Sequence, residues 1–227
     1  MDLTVTLAGA SVHLLPLSPD HVDDLVTAAT EDRSTYAYAP VPDGRDAMTD
    51  LVASALAARD RGEQVPFATW SAAEGRIVGS TRFLRLQRWD WSQTARAGQP
   101  TEGDPPLGQR GELPDRCDIG ATWLAGSAQR TSVNTEAKLL MLAHAFEVWK
   151  VHAVGIQTDV RNDRSRRAIE RLGLRLDGVL RVEQPAVDGS LRDTARYSMT
   201  ATEWPPARER LRARLASGPG GASRSEV

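Results

Sequence analysis

One cysteine, Cys117, leaves no partner for an internal disulfide and excludes a cysteine-rich metal site in this chain of 227 residues. Lysine is nearly as scarce: Lys138 and Lys150 are the only two, so positive charge rests on arginine. With abundant alanine, that bias reads as genome composition and not as an arginine-rich binding surface. The four histidines, His13, His21, His144 and His152, are scattered, and no two have metal-ligand spacing. No metal is expected. No run approaches the ~20 apolar residues of a membrane span, and Met1-Asp2-Leu3-Thr4 lacks the basic and apolar stretches of a secretory signal. A net charge of −2 gives no general attraction to nucleic acid or to an anionic membrane. What remains, 41% hydrophobic and 26% charged residues, suits one cytoplasmic globular domain.

Periodicity divides the chain into elements. Residues 12–17 read as a short strand. Ser18-Pro19 caps and opens a helix to about residue 30, and a second helix starts at Asp46 and stops at Gly62. Strands at 65–72 and 77–86 flank the tight turn Glu74-Gly75. The stretch 89–116 has many prolines and glycines and no hydrophobic period, so a mobile insertion at about 92–116 is expected on a root of Trp89 and Trp91. A strand at 118–124, a helix at 134–149 and a strand at 151–160 follow. Ser165, Ala168, Ile169 and Leu172 then form the inner stripe of a helix ended by Gly173. Strands at 175–186 and 191–201 turn at Asp188-Gly189, and Pro205-Pro206 opens a last helix. Residues 217–227 read as a disordered tail. The order β-α-α-β-β-β-α-β-α-β-β predicts an α/β fold: one domain over 1–216, with a mixed sheet and helices on both faces.

The chemistry concentrates in two segments. Gln129-Arg130-Thr131-Ser132-Val133-Asn134-Thr135 is a short polar loop between a strand and an amphipathic helix. Backbone N–H groups at such a helix start point outward at its positive end, a geometry that binds phosphate. Asn134 is a good residue to cap that helix. Lys138 would oppose the helix dipole, a sign that a bound diphosphate would reverse, although a solvated surface lysine accounts for it equally. The second segment, Asn162-Asp163-Arg164-Ser165, opens the next helix.

These two segments, in this element order, resemble the acyl-CoA site of the GNAT superfamily of N-acetyltransferases, and more narrowly its ribosomal-protein (RimJ/RimL-like) branch. The resemblance spans about residues 12–204. Gln129 matches the first position of the family's phosphate loop, while Ser132 and Asn134 stand where glycine or alanine is usual; both are small and permit a tight turn. The resemblance implies acetyl-CoA as co-substrate, held by Gln129, Arg130, Thr131, Ser132, Val133, Asn134 and Thr135. It implies that Asn162 binds the pantetheine arm and that Ser165 protonates the departing thiolate. It also implies that the strands at 119–124 and 152–158 splay apart, so that the pantetheine pairs with free backbone groups of Trp123 and Leu124.

The proton acceptor is left open. The family's glutamate position falls on Gln184, which is no base. Glu183 beside it points to the other face unless a bulge near Pro185 re-aims it. Asp118 is an alternative. Glu136 is a weaker one, because acids near helix starts are commonly dipole partners. His144 and Cys117 read as packed groups. Trp89, Trp91 and Tyr197 are candidates to line the acceptor site. Asp43, Asp46 and Asp90 would serve an acidic pocket for an antibiotic or polyamine, whereas a protein acceptor calls for an open groove. Two functions stand against each other: an N-acetyltransferase acting on a primary amine (peptide N-terminus or small molecule), and a non-catalytic acyl-CoA sensor. Family analogy adds a homodimer as the expected assembly.

Overall fold

Alternation and turn chemistry set the local structure of this computed structural model, which describes residues 2–90 and 113–217. The strands are β1 (Leu7–Ala8), β2 (Val12–Pro16), β3 (Val65–Ser71), β4 (Arg76–Gln87), β5 (Arg116–Leu124), β6 (Ala153–Asp159), β7 (Arg175–Pro185) and β8 (Leu191–Thr200). They form one sheet in the spatial order β1-β2-β3-β4-β5-β6-β8-β7. The helices are α1 (Val22–Thr30), α2 (Arg45–Asp60), α3 (Val133–Ala143), α4 (Asp163–Leu172) and α5 (Trp204–Ala216). The predicted order is present, with the two-residue β1 added in front.

The boundaries moved where local bonding differed from the pattern. The first helix begins as a 3₁₀ turn, Pro19–His21, because the Ser18 hydroxyl accepts the Asp20 N–H and His21 Nδ1 accepts the Ser18 N–H. α2 opens one residue before Asp46, behind Gly44 at φ 82°. β5 begins at Arg116 and not at Asp118, so the expected insertion does not extend to residue 116. Asp115 is already buried, and its N–H bonds the Gln87 carbonyl while its own carbonyl accepts the His152 N–H. Trp91, residues 91–112 of the insertion and residues 218–227 of the tail lie outside the described residues. The helix expected to reach 149 ends at Ala143 and continues as one π turn, His144–Val148. That wider turn carries Phe146 onto the Trp204 ring of α5 and Trp149 onto Phe83.

Helices cover both faces of the sheet. Thr122 and Trp123 are neighbours on β5 and point to opposite sides. Thr122 meets Lys138 of α3, while Trp123 meets Tyr36 in the 3₁₀ turn (Arg33–Tyr36) after α1. Consistent with double cover, Val65–Thr69 of β3 and Ile77–Phe83 of β4 are buried at successive positions.

The sheet opens at its centre. β5 and β6 run parallel and pair only at Arg116–Ala153, Cys117–Val154 and Asp118–Gly155. Beyond Asp118 the two strands part, while β5 stays paired to β4 as far as Leu124 and β6 to β8 as far as Asp159. A bulge accompanies the parting: Thr81 of β4 faces both Ala121 and Thr122, with Ala121 in the left-handed region at φ 47°. Bulges bend a strand and sharpen its twist. Gly79 allows β4 to follow that bend, since its φ is 156° and a Cβ there would lie 2.1 Å from the Trp123 carbonyl oxygen. The splay implied for these strands is present.

Candidate active site

A cavity of about 530 Å³ fills this opening. Its walls are the free half of β5, the loop into α3, the end of β6 and the start of α4. The loop is drawn tight by Thr131, whose hydroxyl donates to the Ala128 carbonyl (2.7 Å) and accepts the Val133 N–H (3.2 Å). Arg130 takes a left-handed φ of 62° at the corner. α3 starts at Val133, so Ser132 holds the cap position, and it makes no side-chain cap bond. Asn134 is thus the second helical residue and not the cap. Helical bonding begins with the Glu136 N–H to the Ser132 carbonyl (2.9 Å), so the N–H groups of Asn134 and Thr135 precede it. Gln129, Arg130, Thr131, Asn134 and Thr135 all line the cavity; Val133 is buried in the core.

Gln129 is a knot more than a free ligand. Its Nε2 donates to Thr35 Oγ1 and to the Leu124 carbonyl, both at 2.9 Å, and its Oε1 accepts from Arg164 Nη1 at 2.9 Å. Arg164 Nη2 donates in turn to the Thr35 carbonyl at 2.6 Å. Loop, β5, α4 and the turn after α1 are tied at this one side chain. The Leu124 carbonyl also accepts the Tyr36 hydroxyl at 3.0 Å. That carbonyl was expected to be free for a ligand, and it is occupied twice. The Ala125 N–H bonds the Val78 carbonyl (2.7 Å), and antiparallel alternation therefore turns the backbone groups of Leu124 towards the opening. Trp123 is 7% exposed, and its indole N–H is buried without a hydrogen-bond partner.

The electrostatics of the cavity revise the reading of arginine as mere composition. Among the described residues, Arg130, Arg164, Arg171, Arg192 and Arg214 line it, against one carboxylate, Asp159. Asp159 is itself held by Arg161, through Nη2 (2.7 Å), Nε (3.0 Å) and the backbone N–H (2.9 Å). Those Arg161 bonds keep its carboxyl below the usual range. Asp43 and Asp46 lie outside the lining, and Asp43 faces Arg33 at 3.6 Å.

The candidate acids and bases separate clearly. Asn162 Oδ1 accepts the Ser165 N–H at 3.0 Å and caps α4, while both Asn162 and Ser165 line the cavity. Glu136 accepts the N–H groups of Ala10 (2.8 Å) and Ser11 (2.6 Å), a clamp on the β1–β2 turn. Asp118 sits where the β5–β6 ladder ends, paired with Arg85 Nη1 at 3.1 Å and pressed against Gly155. A bulge does occur in β7, at Val182 (φ 52°), yet neither Glu183 nor Gln184 lines the cavity. Tyr197 is 1% exposed beneath α4, its hydroxyl donating to Glu170 and accepting from Arg166, both at 3.1 Å. Trp89 stacks on His152 at 5.7 Å, outside the cavity wall. Cys117 is fully buried, which raises its thiol pKa, and His144 packs against Trp149 and Phe83.

Two features escaped sequence reasoning. The Asp159–Arg161 pair shows no motif. Lys138 is not a solvated lysine: it is 5% exposed, it lines the cavity, and its Nζ bonds Thr122 Oγ1 at 2.6 Å and Thr81 Oγ1 at 2.9 Å. Burial lowers it from the ordinary 10.5 to about 7. The only sequence signal was a lone lysine among alanines and leucines on a helix.

A family model described as an acetyltransferase (GNAT) domain matches residues 11–175. The structure of a GCN5-related N-acetyltransferase from Brucella melitensis is 24% identical, with a TM-score of 0.73 over 93% of this chain and 86% of that one. Mycobacterium smegmatis RimJ, solved in complex with CoA-disulfide, is 20% identical, with a TM-score of 0.70 over 92% of this chain and 91% of its own. An acetyltransferase from Salmonella typhimurium, described as modifying the N-terminal serine of ribosomal protein L7/L12, is 13% identical, with a TM-score of 0.67 over 86% and 99%. At these identities the likeness is one of fold. Among curated proteins none matches the sequence.

Proposed function

The chain belongs to the GNAT acetyltransferase family, and from that premise we propose that it moves the acetyl group of acetyl-CoA to the α-amine of a peptide or protein N-terminus. The observation that carries this reading is the charge of the cavity: five arginines against one arginine-bound carboxylate. Such a lining favours an anionic co-substrate and opposes a polycationic acceptor such as a polyamine. The resemblance to the RimJ/RimL branch supports the N-terminal acceptor.

In this reading the diphosphate meets the N–H groups at the start of α3 together with Arg130. The pantetheine runs through the opening along β5. Capping uses the carbonyl oxygen of Asn162 and leaves its amide N–H groups as donors to the arm. The amine attacks the thioester directly, and Ser165 donates a proton to the departing thiolate. We place the enzyme in the cytoplasm, and as a homodimer through β7. That edge strand exposes Leu176, Val179, Leu180 and Val182. A monomeric mass by light scattering at micromolar concentration would refute the dimer.

The test of the activity is thiol release from acetyl-CoA against N-terminal peptides, small amines and polyamines. Peptide-dependent release is expected, reduced about 100-fold in Ser165→Ala. Asn134→Trp, which fills the phosphate end, should lose acetyl-CoA binding by calorimetry. Release with polyamines but not with peptides would overturn the acceptor assignment. Acetyl-CoA binding without release for any amine would instead indicate a sensor.

A further inference from the structure

We infer that Lys138 is the proton acceptor of the transfer reaction, taking the place of the glutamate for which Gln184 stands in this chain; this rests on the acetyl-transfer reading above. The geometry carries the inference. Nζ forms a triangle with Thr122 Oγ1 (2.6 Å) and Thr81 Oγ1 (2.9 Å), which are 2.7 Å from each other. The triangle lies beside the bulge where the sheet parts, and two of its members, Thr122 and Lys138, line the cavity. A lysine 5% exposed would ordinarily have a carboxylate partner. This one has none.

Among the described residues, the carboxylates named above as candidates are engaged or distant. Glu136, two residues away, accepts two backbone N–H groups; Asp118 is paired with Arg85; Asp159 is bound by Arg161. Glu183 does not reach the cavity wall. Nζ meets Thr81 of β4 and Thr122 of β5, neither of them charged, and Thr81 in turn meets the Met141 sulfur of α3. Among the described residues, the other titratable or charged groups on the cavity wall are Tyr36, Tyr38, Asp159 and the five arginines. Burial alone lowers the lysine to about 7, with no charged neighbour contributing. Near neutrality, Lys138 therefore exchanges between an ammonium and a free amine.

The reaction balances with this group. The acceptor arrives as an ammonium and gives one proton to neutral Nζ. Its freed lone pair forms the C–N bond at the thioester carbonyl carbon, and the adduct collapses with cleavage of C–S. The thiolate takes the second proton of the attacking nitrogen by way of the Ser165 hydroxyl, and Lys138 returns its own proton to water. A base near 7 is matched to an α-amine, ordinarily about 7.7–8.0, and poorly matched to a lysine ε-amine at about 10.4.

The experiment compares wild type with Lys138→Met, whose apolar side chain suits the buried position, and measures acetyl-CoA affinity, melting temperature and the pH profile of kcat/KM with an N-terminal peptide. The expected result is a wild-type rate that rises with pH through an apparent pKa near 7. Lys138→Met should bind acetyl-CoA within about threefold, melt no lower, lose about 100-fold or more in kcat/KM and lack that limb. A variant within fivefold of wild type, with the limb intact, would overturn the inference alone. So would a wild-type rate that falls as pH rises through 7, since a buried cation and not a base would then be acting. Absence of turnover in wild-type protein that binds acetyl-CoA would overturn the parent reading together with this one.

Discussion

Replacing Lys138 with methionine should stabilise the protein, and by an amount that depends on pH. Moving a lysine from 10.5 to about 7 corresponds to on the order of 5 kcal/mol against the folded state when the group is charged. The sign follows from proton binding. Between about 7 and 10.5 the unfolded chain holds a proton on this residue that the folded chain has released, so wild-type stability rises with pH in that window. The penalty is complete below pH 7 and fades above it. Lys138→Met removes the penalty along with the two Nζ hydrogen bonds, each worth about 1 kcal/mol; the threonine hydroxyls keep each other at 2.7 Å. Urea unfolding of both proteins at pH 6 should therefore show the variant more stable by about 3 kcal/mol. By pH 9 that advantage should shrink by about 1.4 kcal/mol per pH unit above 7. Taking the difference between the two proteins cancels every group they share. An equal difference at pH 6 and pH 9 would refute a displaced titration of Lys138.

Two further outcomes test the frame around the site. Glu136→Gln keeps one acceptor oxygen but loses the charge that serves the Ala10 and Ser11 N–H groups, and it should destabilise by about 2–3 kcal/mol in urea at neutral pH. A change below about 0.5 kcal/mol, the ordinary range for a surface substitution, would mean that the clamp does not hold the β1–β2 turn. Gly79→Ala must place a Cβ 2.1 Å from the Trp123 carbonyl oxygen at a φ of 156°, so a loss of about 3 kcal/mol or more is expected in thermal unfolding. An unchanged melting temperature would mean that β4 and β5 do not approach as closely as described.

What the sequence decided was largely local. The turns at Glu74-Gly75 and Asp188-Gly189, the Ser18-Pro19 opening and the apolar periods placed all but the shortest strand, because backbone conformation answers to neighbouring residues. The polar loop before α3 and the Asn162 cap were legible for the same reason. The π turn was not, since it depends on where Phe146 and Trp149 find partners on α5 and β4. The destinations of side chains were harder still. Glu136 and Lys138 stand two residues apart on one helix and so point to nearly opposite sides. One reaches a turn more than 120 residues away, and the other enters the opening of the sheet. Likewise Gln129, whose motif marks a ligand-binding loop, is satisfied by Thr35, Leu124 and Arg164, from three separate segments. Burial and charge at these positions are set by what lies across the fold. The chain by itself therefore determined its elements, its phosphate loop and its family resemblance. Only the tertiary structure decided which charges are buried, which carbonyls are already taken and which lysine faces the cavity, because each of those depends on contacts between residues remote in sequence.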